Sequence, residues 1–149
     1  MKILTKAYGE YEIDERQLID VPVGLFGFEN LHRYALIDAH QKPFIWLQSL
    51  EKTEVAFVLI NPLLFRPDYT VDATEDDLAA LEIGDPDDML CFAIVTIPDD
   101  GRGMTANLQG PLLINRKTHR ARQIISVNPQ WQIRHSITDE LERQRSNAC

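Results

Sequence analysis

Four histidines, four serines and many carboxylates are the side chains of this 149-residue chain that could move a proton or attack a carbon. His32, His40, His119 and His135 stand far apart. None forms an HxH, HxxxH or cysteine-paired spacing, so no metal site is predicted. None of the serines occupies a GxSxG elbow. "GLFGF" has two glycines but lacks both GxGxxG and the lysine–serine end of a phosphate loop. "DDGRG" carries too few oxygen ligands at the spacing of an EF-hand. The carboxylates fall in turns and at the start of a predicted helix. An acid–base pair assembled across strands stays open as an alternative. The sequence therefore names no catalytic, metal-binding or cofactor-binding residue and predicts a protein that is not an enzyme.

What stands out instead is a set of amides at predicted strand ends: Gln48, Asn61, Asn107 and Asn115. Three of them lie in two stretches with proline breaks, "LINPLLF" (59–65) and "NLQGPLLIN" (107–115). Proline donates no backbone hydrogen bond and is confined to strand ends, edges and bulges. The amides have two readings. They satisfy loose backbone groups where a ladder stops, or they receive the backbone of a partner. Phe65 and Tyr69 follow the first break and are aromatic anchors of an interface or part of the core. The candidate partner-binding residues are thus Gln48, Asn61, Pro62, Phe65, Tyr69, Asn107 and Pro111.

The elements that must position these residues are mostly short strands. "KILT" and "EYEI" alternate polar and apolar residues around a turn near Lys6–Gly9. "LIDVP", "RYALID", "FIWLQSL", "EVAFVLIN" and "MLCFAIVTIP" follow. The nearly unbroken apolar runs among them predict strands covered on both faces. "MTANL" and "PLLIN" read as separate strands divided at Gly110–Pro111, then "RQIISV" and "WQIRHSI". Gly24 and Gly27 predict a tight loop that tucks at least one of Phe26 and Phe28 inward, with one helical turn at "ENLHR". That loop is alternatively a ligand lip. One helix is expected over Thr74–Ile83, capped by Thr74, with Glu75, Asp76 and Asp77 at its positive end and Gly84 closing it. About ten strands and one short helix predict a mainly β, antiparallel barrel-like single domain over 1–137. Residues 138–149 are a polar tail, a short exposed helix or frayed end, removable with little loss of stability.

Composition narrows the function. Fifteen basic against 23 acidic side chains leave a net charge of −8, which argues against direct nucleic-acid binding. The acidic balance suits solubility and a basic protein partner. Cys91 lies in an apolar run and reads as a small buried hydrophobe. Cys149 is terminal, and no bridge between the two is expected. The start shows no signal peptide and no apolar run approaches 18 residues, so the reading is cytoplasmic, without membrane contact, and monomeric.

Taken in order, "GLFGFE", "FIWLQSLE", "AFVLINPLLFRPDY" and "TANLQGPLLIN" followed by "RQII" resemble the FliW family of flagellar assembly factors, from about Lys2 to His135. A minor departure is Phe26, where family loops carry a proline or similar residue, and the tail after Thr138 carries no clear family pattern. The resemblance implies a small cytoplasmic β-barrel-like protein without enzymatic activity. It implies two partners: unsecreted flagellin, and the RNA-binding repressor CsrA, antagonised allosterically at a site away from its RNA surface. A small-ligand binder or enzyme using the barrel interior is the alternative, and a filled interior tells against it. A purely structural subunit would show a large exposed apolar strip.

Overall fold

The computed structural model describes residues 1–98 and 103–147. The expected turn at "DDGRG" and the terminal Cys149 lie largely or wholly outside the described residues. Ten strands form: β1 (Lys2–Thr5), β2 (Gly9–Glu12), β3 (Leu18–Asp20), β4 (Arg33–Asp38), β5 (Ile45–Ser49), β6 (Ala56–Ile60), β7 (Met89–Thr96), β8 (Thr105–Asn115), β9 (Ala121–Gln123) and β10 (His135–Ser136). Helix α1 covers Glu75–Ala80 and α2 covers Ile137–Asn147.

β1 and β2 make a separate hairpin. The other strands form one antiparallel sheet in the order β10-β8-β7-β6-β5-β4-β3, with β9 also on β8. A single parallel bridge between Asp20 and Arg120 joins its two ends, with the Asp20 N–H donating to the His119 carbonyl at 3.0 Å. The result is a nearly closed antiparallel barrel with one short helix, α1, on its body.

Residues on alternate positions of several strands meet in one cluster, including Ile19, Tyr34, Leu47, Leu59, Leu112, Ile114 and Ala121. Outward side chains on such distant strands could not touch, so this cluster is the barrel interior, and it is filled. The opposite faces are also covered. The β1–β2 hairpin lies over Ala35 and Ile37. The α1 region covers Leu113 and Ile124. Phe65, Tyr69, Trp131 and Ile137 cover Ala93, Val95, Ala106 and Leu108. Two-sided cover is why β6 and β7 read as continuous apolar runs.

Tyr34 is fully buried, and its hydroxyl has no hydrogen-bond partner among the described residues. Burial, and secondarily the charge of Glu51, push its pKa up to about 12. An unpaired buried hydroxyl costs about 1–3 kcal/mol. Tyr34→Phe is therefore expected to leave the melting temperature unchanged or raise it. A fall of several degrees would show that the hydroxyl has a partner.

Four local expectations are corrected. First, Gly110–Pro111 does not divide the segment into separate strands, because β8 runs unbroken from Thr105 to Asn115. The β7–β8 register shifts between Phe92 and Ile94, placing Leu108–Pro111 in a bulge. β8 bends there, pairing β10 through Thr105–Ala106 and β9 through Leu112–Ile114. Second, β9 stops at Gln123, although the Ile124 N–H still reaches the Pro111 carbonyl at 3.1 Å. Pro111 has no N–H to return, which breaks the ladder. Third, "WQIRHSI" keeps only His135–Ser136 as strand, because Trp131 turns inward and is 1% exposed. Fourth, α1 ends at Ala80, with Glu82 rather than Gly84 in the left-handed conformation at φ 56°. Thr74 caps it as expected, accepting the Asp77 N–H at 3.2 Å.

The polar C-terminal stretch is helical through Asn147, and it is tethered. Glu140 accepts from Arg66 Nη1 at 3.1 Å, both side chains being mostly shielded. The tail is therefore not a detached appendage, and its removal would strip Arg66 of one buried partner.

Candidate protein-interaction surface

The segment after β6 is built by local chemistry. Asn61 Oδ1 accepts the Leu63 N–H at 3.0 Å and caps a short 3-10 turn, Pro62–Leu64. Proline suits the first position, where the missing N–H loses nothing. The turn presents Leu63 and Leu64 to solvent, 51% and 46% exposed. Pro62 is buried beneath them. Phe65, 1% exposed, points into the cluster of Ile60, Ala93, Leu108 and Trp131.

Below this turn lies a polar clamp. The Tyr69 hydroxyl donates to the Leu108 carbonyl at 2.9 Å, and its ring lies 4.7 Å from that of Trp131. Burial drives the Tyr69 pKa upward. The Arg66 guanidinium sits 4.8 Å from the Trp131 ring and donates to Asp68 at 2.8 Å and to Glu140. The hydrogen bond from Arg66 holds the Asp68 carboxyl below its ordinary pKa.

The other three amides bind backbone groups of the chain itself. Gln48 is buried; Nε2 donates to the carbonyls of Ser49 and Thr53, and Oε1 accepts the Lys6 N–H at 2.9 Å. It welds the N-terminal hairpin to the β5–β6 turn. Asn107 Oδ1 accepts the Gly110 N–H at 2.8 Å and pins the β8 bulge. Pro111 is buried in that bulge. Asn115 Oδ1 accepts from Lys117 and Thr118, shaping the β8–β9 turn, while Nδ2 donates to the Leu81 carbonyl. Of the predicted partner-binding set, Asn61, Pro62, Phe65 and Tyr69 are gathered on one segment. Gln48 belongs to the β5 end, and Asn107 and Pro111 to the β8 bulge. Only Asn61 and, to a lesser degree, Asn107 retain exposure.

Sequence reasoning passed over Leu63 and Leu64; two leucines directly after a capping Asn–Pro were the available signal. It also missed Gln123, which donates to the Gly110 carbonyl and accepts the Phe26 N–H at 3.0 Å. That contact anchors the 23–29 loop. Leu25, 1% exposed, is the residue the loop inserts, while Phe26 is 52% exposed. Phe28 packs edge-on to Phe57 at 5.1 Å, and "ENLHR" forms no helix.

Two apolar depressions of about 250 and 270 Å³ share Phe44 and Met104 and run from Tyr8 and Trp46 to Leu64 and Leu141. A third, of about 270 Å³, lies between the Asn61–Leu63 turn, Tyr69, Val71 and the start of β7. Cys91 lines it, half-buried, its thiol pushed up to about 12 by burial. No metal-ligating cluster occurs among the described residues. Among them, too, no helix is long and apolar enough to cross a membrane.

The FliW protein family model matches residues 2–137. The chain belongs to the FliW family. Flagellar assembly factor FliW of Treponema denticola is 46% identical over 147 residues, 99% of this chain and 100% of that one. The factor of the same name from Treponema pallidum is 45% identical over 150 residues, 100% of each chain. A crystal structure of the flagellar assembly factor FliW shares the fold with a TM-score of 0.84 at 33% identity, covering 92% of this chain and 96% of that one. Both curated relatives carry the name flagellar assembly factor.

Proposed function

We propose that this flagellar assembly factor acts in the cytoplasm by binding unsecreted flagellin and, when flagellin is exported, by binding a CsrA-type repressor and lowering its hold on flagellin messenger RNA. Membership of the FliW family over residues 2–137 carries this reading. The filled barrel interior supports it, because it leaves the outer surface as the place of recognition. The partner edge is the Asn61–Tyr69 segment. Asn61, Leu63 and Leu64 make the contact, while Pro62, Phe65 and Tyr69 hold it from beneath. Gln48, Asn107 and Pro111 fix the strands on which that edge rests.

The antagonism is allosteric rather than mimicry of RNA. Many of the carboxylates occupy turns and helix starts, and others stand on strands, such as Asp20 on β3 and Asp38 on β4. Asp14 and Asp85 each cap a helical turn, and Glu75, Asp76 and Asp77 fill the first turn of α1. Charge then acts through steering, raising the association rate at low salt. RNA binding to the repressor, titrated with increasing amounts of this protein, is expected to weaken to a plateau, as linkage between two sites requires. Weakening without limit would indicate direct competition and defeat the allosteric reading.

A further inference from the structure

Helix α2 holds to the barrel at few points. Of its side chains over residues 137–143, only Ile137 and Glu140 are buried. Ile137 is fixed. Its N–H donates to the Met104 carbonyl at 3.1 Å, and its side chain joins the outer cluster with Phe65 and Trp131. The Ser136 hydroxyl accepts the Asp139 N–H at 3.2 Å and starts the helix on β10. Beyond that hinge the sequence is polar apart from Leu141, which is exposed. A helix of 11 residues is marginal in water on its own, so α2 depends on its tether.

That tether is a charge pair. Glu140 Oε1 accepts from Arg66 Nη1 at 3.1 Å, and both side chains are mostly shielded from water. His135 Nδ1 lies 3.5 Å from the same oxygen, and Arg143 Nη1 lies 3.6 Å from the other. Arg66 holds Asp68 separately, through Nε at 2.9 Å and Nη2 at 2.8 Å. Breaking a buried pair is costly when it strands one of the charges. Here it strands neither. Arg66 keeps both bonds to Asp68, and Glu140 moves with the helix into water. Elements with few buried apolar contacts are the ones that open without the rest of a domain.

α2 also stands against the partner edge. Leu64 and Phe65 line one apolar depression of about 270 Å³ together with Ile137, Leu141 and Glu142. Arg66, which the latch grips, follows Phe65 on the Asn61–Tyr69 segment. We propose that α2 is a strap latched by the Arg66–Glu140 pair, and that it opens apart from the barrel to uncover the Leu64 side of the partner edge. This rests on the functional reading above, which places the partner on that edge. The apparent affinity of a partner then scales with the open fraction of the strap, as it does for any binding-competent state that is populated only in part.

Amide hydrogen exchange of the full chain tests the strap. The Leu141, Glu142 and Arg143 amides are expected to exchange at least about a hundredfold faster than those of Leu47 and Leu59 in the barrel wall. Glu140→Ala removes the latch and puts a better helix former in its place, so any loosening of α2 comes from the latch. This substitution is expected to speed exchange of the three α2 amides about tenfold and to tighten at least one partner, purified flagellin or purified repressor, about tenfold. Exchange in α2 no faster than at Leu47 and Leu59, or left unchanged by Glu140→Ala, would overturn the strap. Loosening of α2 with both affinities unchanged or weakened would overturn the gate and spare the functional reading. Failure of both partners to bind the parental chain would overturn the functional reading and the gate with it.

Discussion

Phe65→Ala is expected to cost about 3–5 kcal/mol of folding stability, because it deletes a fully buried ring from a packed cluster. Phe65 is 1% exposed and packs with Ile60, Ala93, Leu108 and Trp131. A domain of this kind holds only about 5–15 kcal/mol in total. The denaturation midpoint should therefore fall steeply, and partner binding should fall only as far as the folded fraction does. A Phe65→Ala protein with an unchanged midpoint that no longer binds would show that the ring turns outward to reach a partner. The contrast with Leu63 sharpens the test. Leu63 is 51% exposed and can be exchanged for a polar residue at little cost in stability.

Gly24→Ala is expected to be nearly as damaging, by at least about 2 kcal/mol. Gly24 has φ +73°, and a Cβ there would lie 2.4 Å from Glu29 Cα and 2.7 Å from the Phe28 carbonyl oxygen. Both obstacles are backbone, so no side chain can swing aside. The 23–29 loop would have to open. That would withdraw Leu25 from the barrel interior and break the bond from the Phe26 N–H to Gln123. A thermal melt measures the loss. Retention of the parental melting temperature would mean that the loop has room to re-form around a methyl group. Gly27→Ala is the control: its φ is +87°, yet its Cβ would meet nothing within 4 Å. It should show conformational strain alone and a smaller loss.

Much of the fold is legible in the residues because local physics decides it. Alternation in "KILT" and "EYEI" directs a hairpin. Unbroken apolar runs in "AFVLI" and "MLCFAIVT" demand cover on both faces, and the structure supplies it from the interior cluster and three outer ones. Thr74 followed by acidic residues starts α1 through a bond spanning only three residues. The Asn61 cap likewise reaches only two residues on. The motif set from "GLFGFE" to "TANLQGPLLIN" carries the family as well.

Other features needed the whole molecule, because their causes lie far apart in the chain. Gly110–Pro111 bends β8 without ending it, since β7, β9 and β10 hold the strand on both sides of the bulge. The C-terminal stretch is polar in composition, yet Glu140 is drawn inward by Arg66, 74 positions away. The 23–29 loop is fixed by Gln123, 97 positions from Phe26. The side of the Asn61–Tyr69 segment that meets solvent was also beyond the sequence. Phe65 and Tyr69 are the larger apolar groups and bury themselves against Trp131 and Leu108, which leaves Leu63 and Leu64 outside. Composition and spacing determined that this chain is a β barrel with interrupted strands. Only tertiary packing decided which of the interrupting residues face solvent, because that choice turns on which side chains win a limited core.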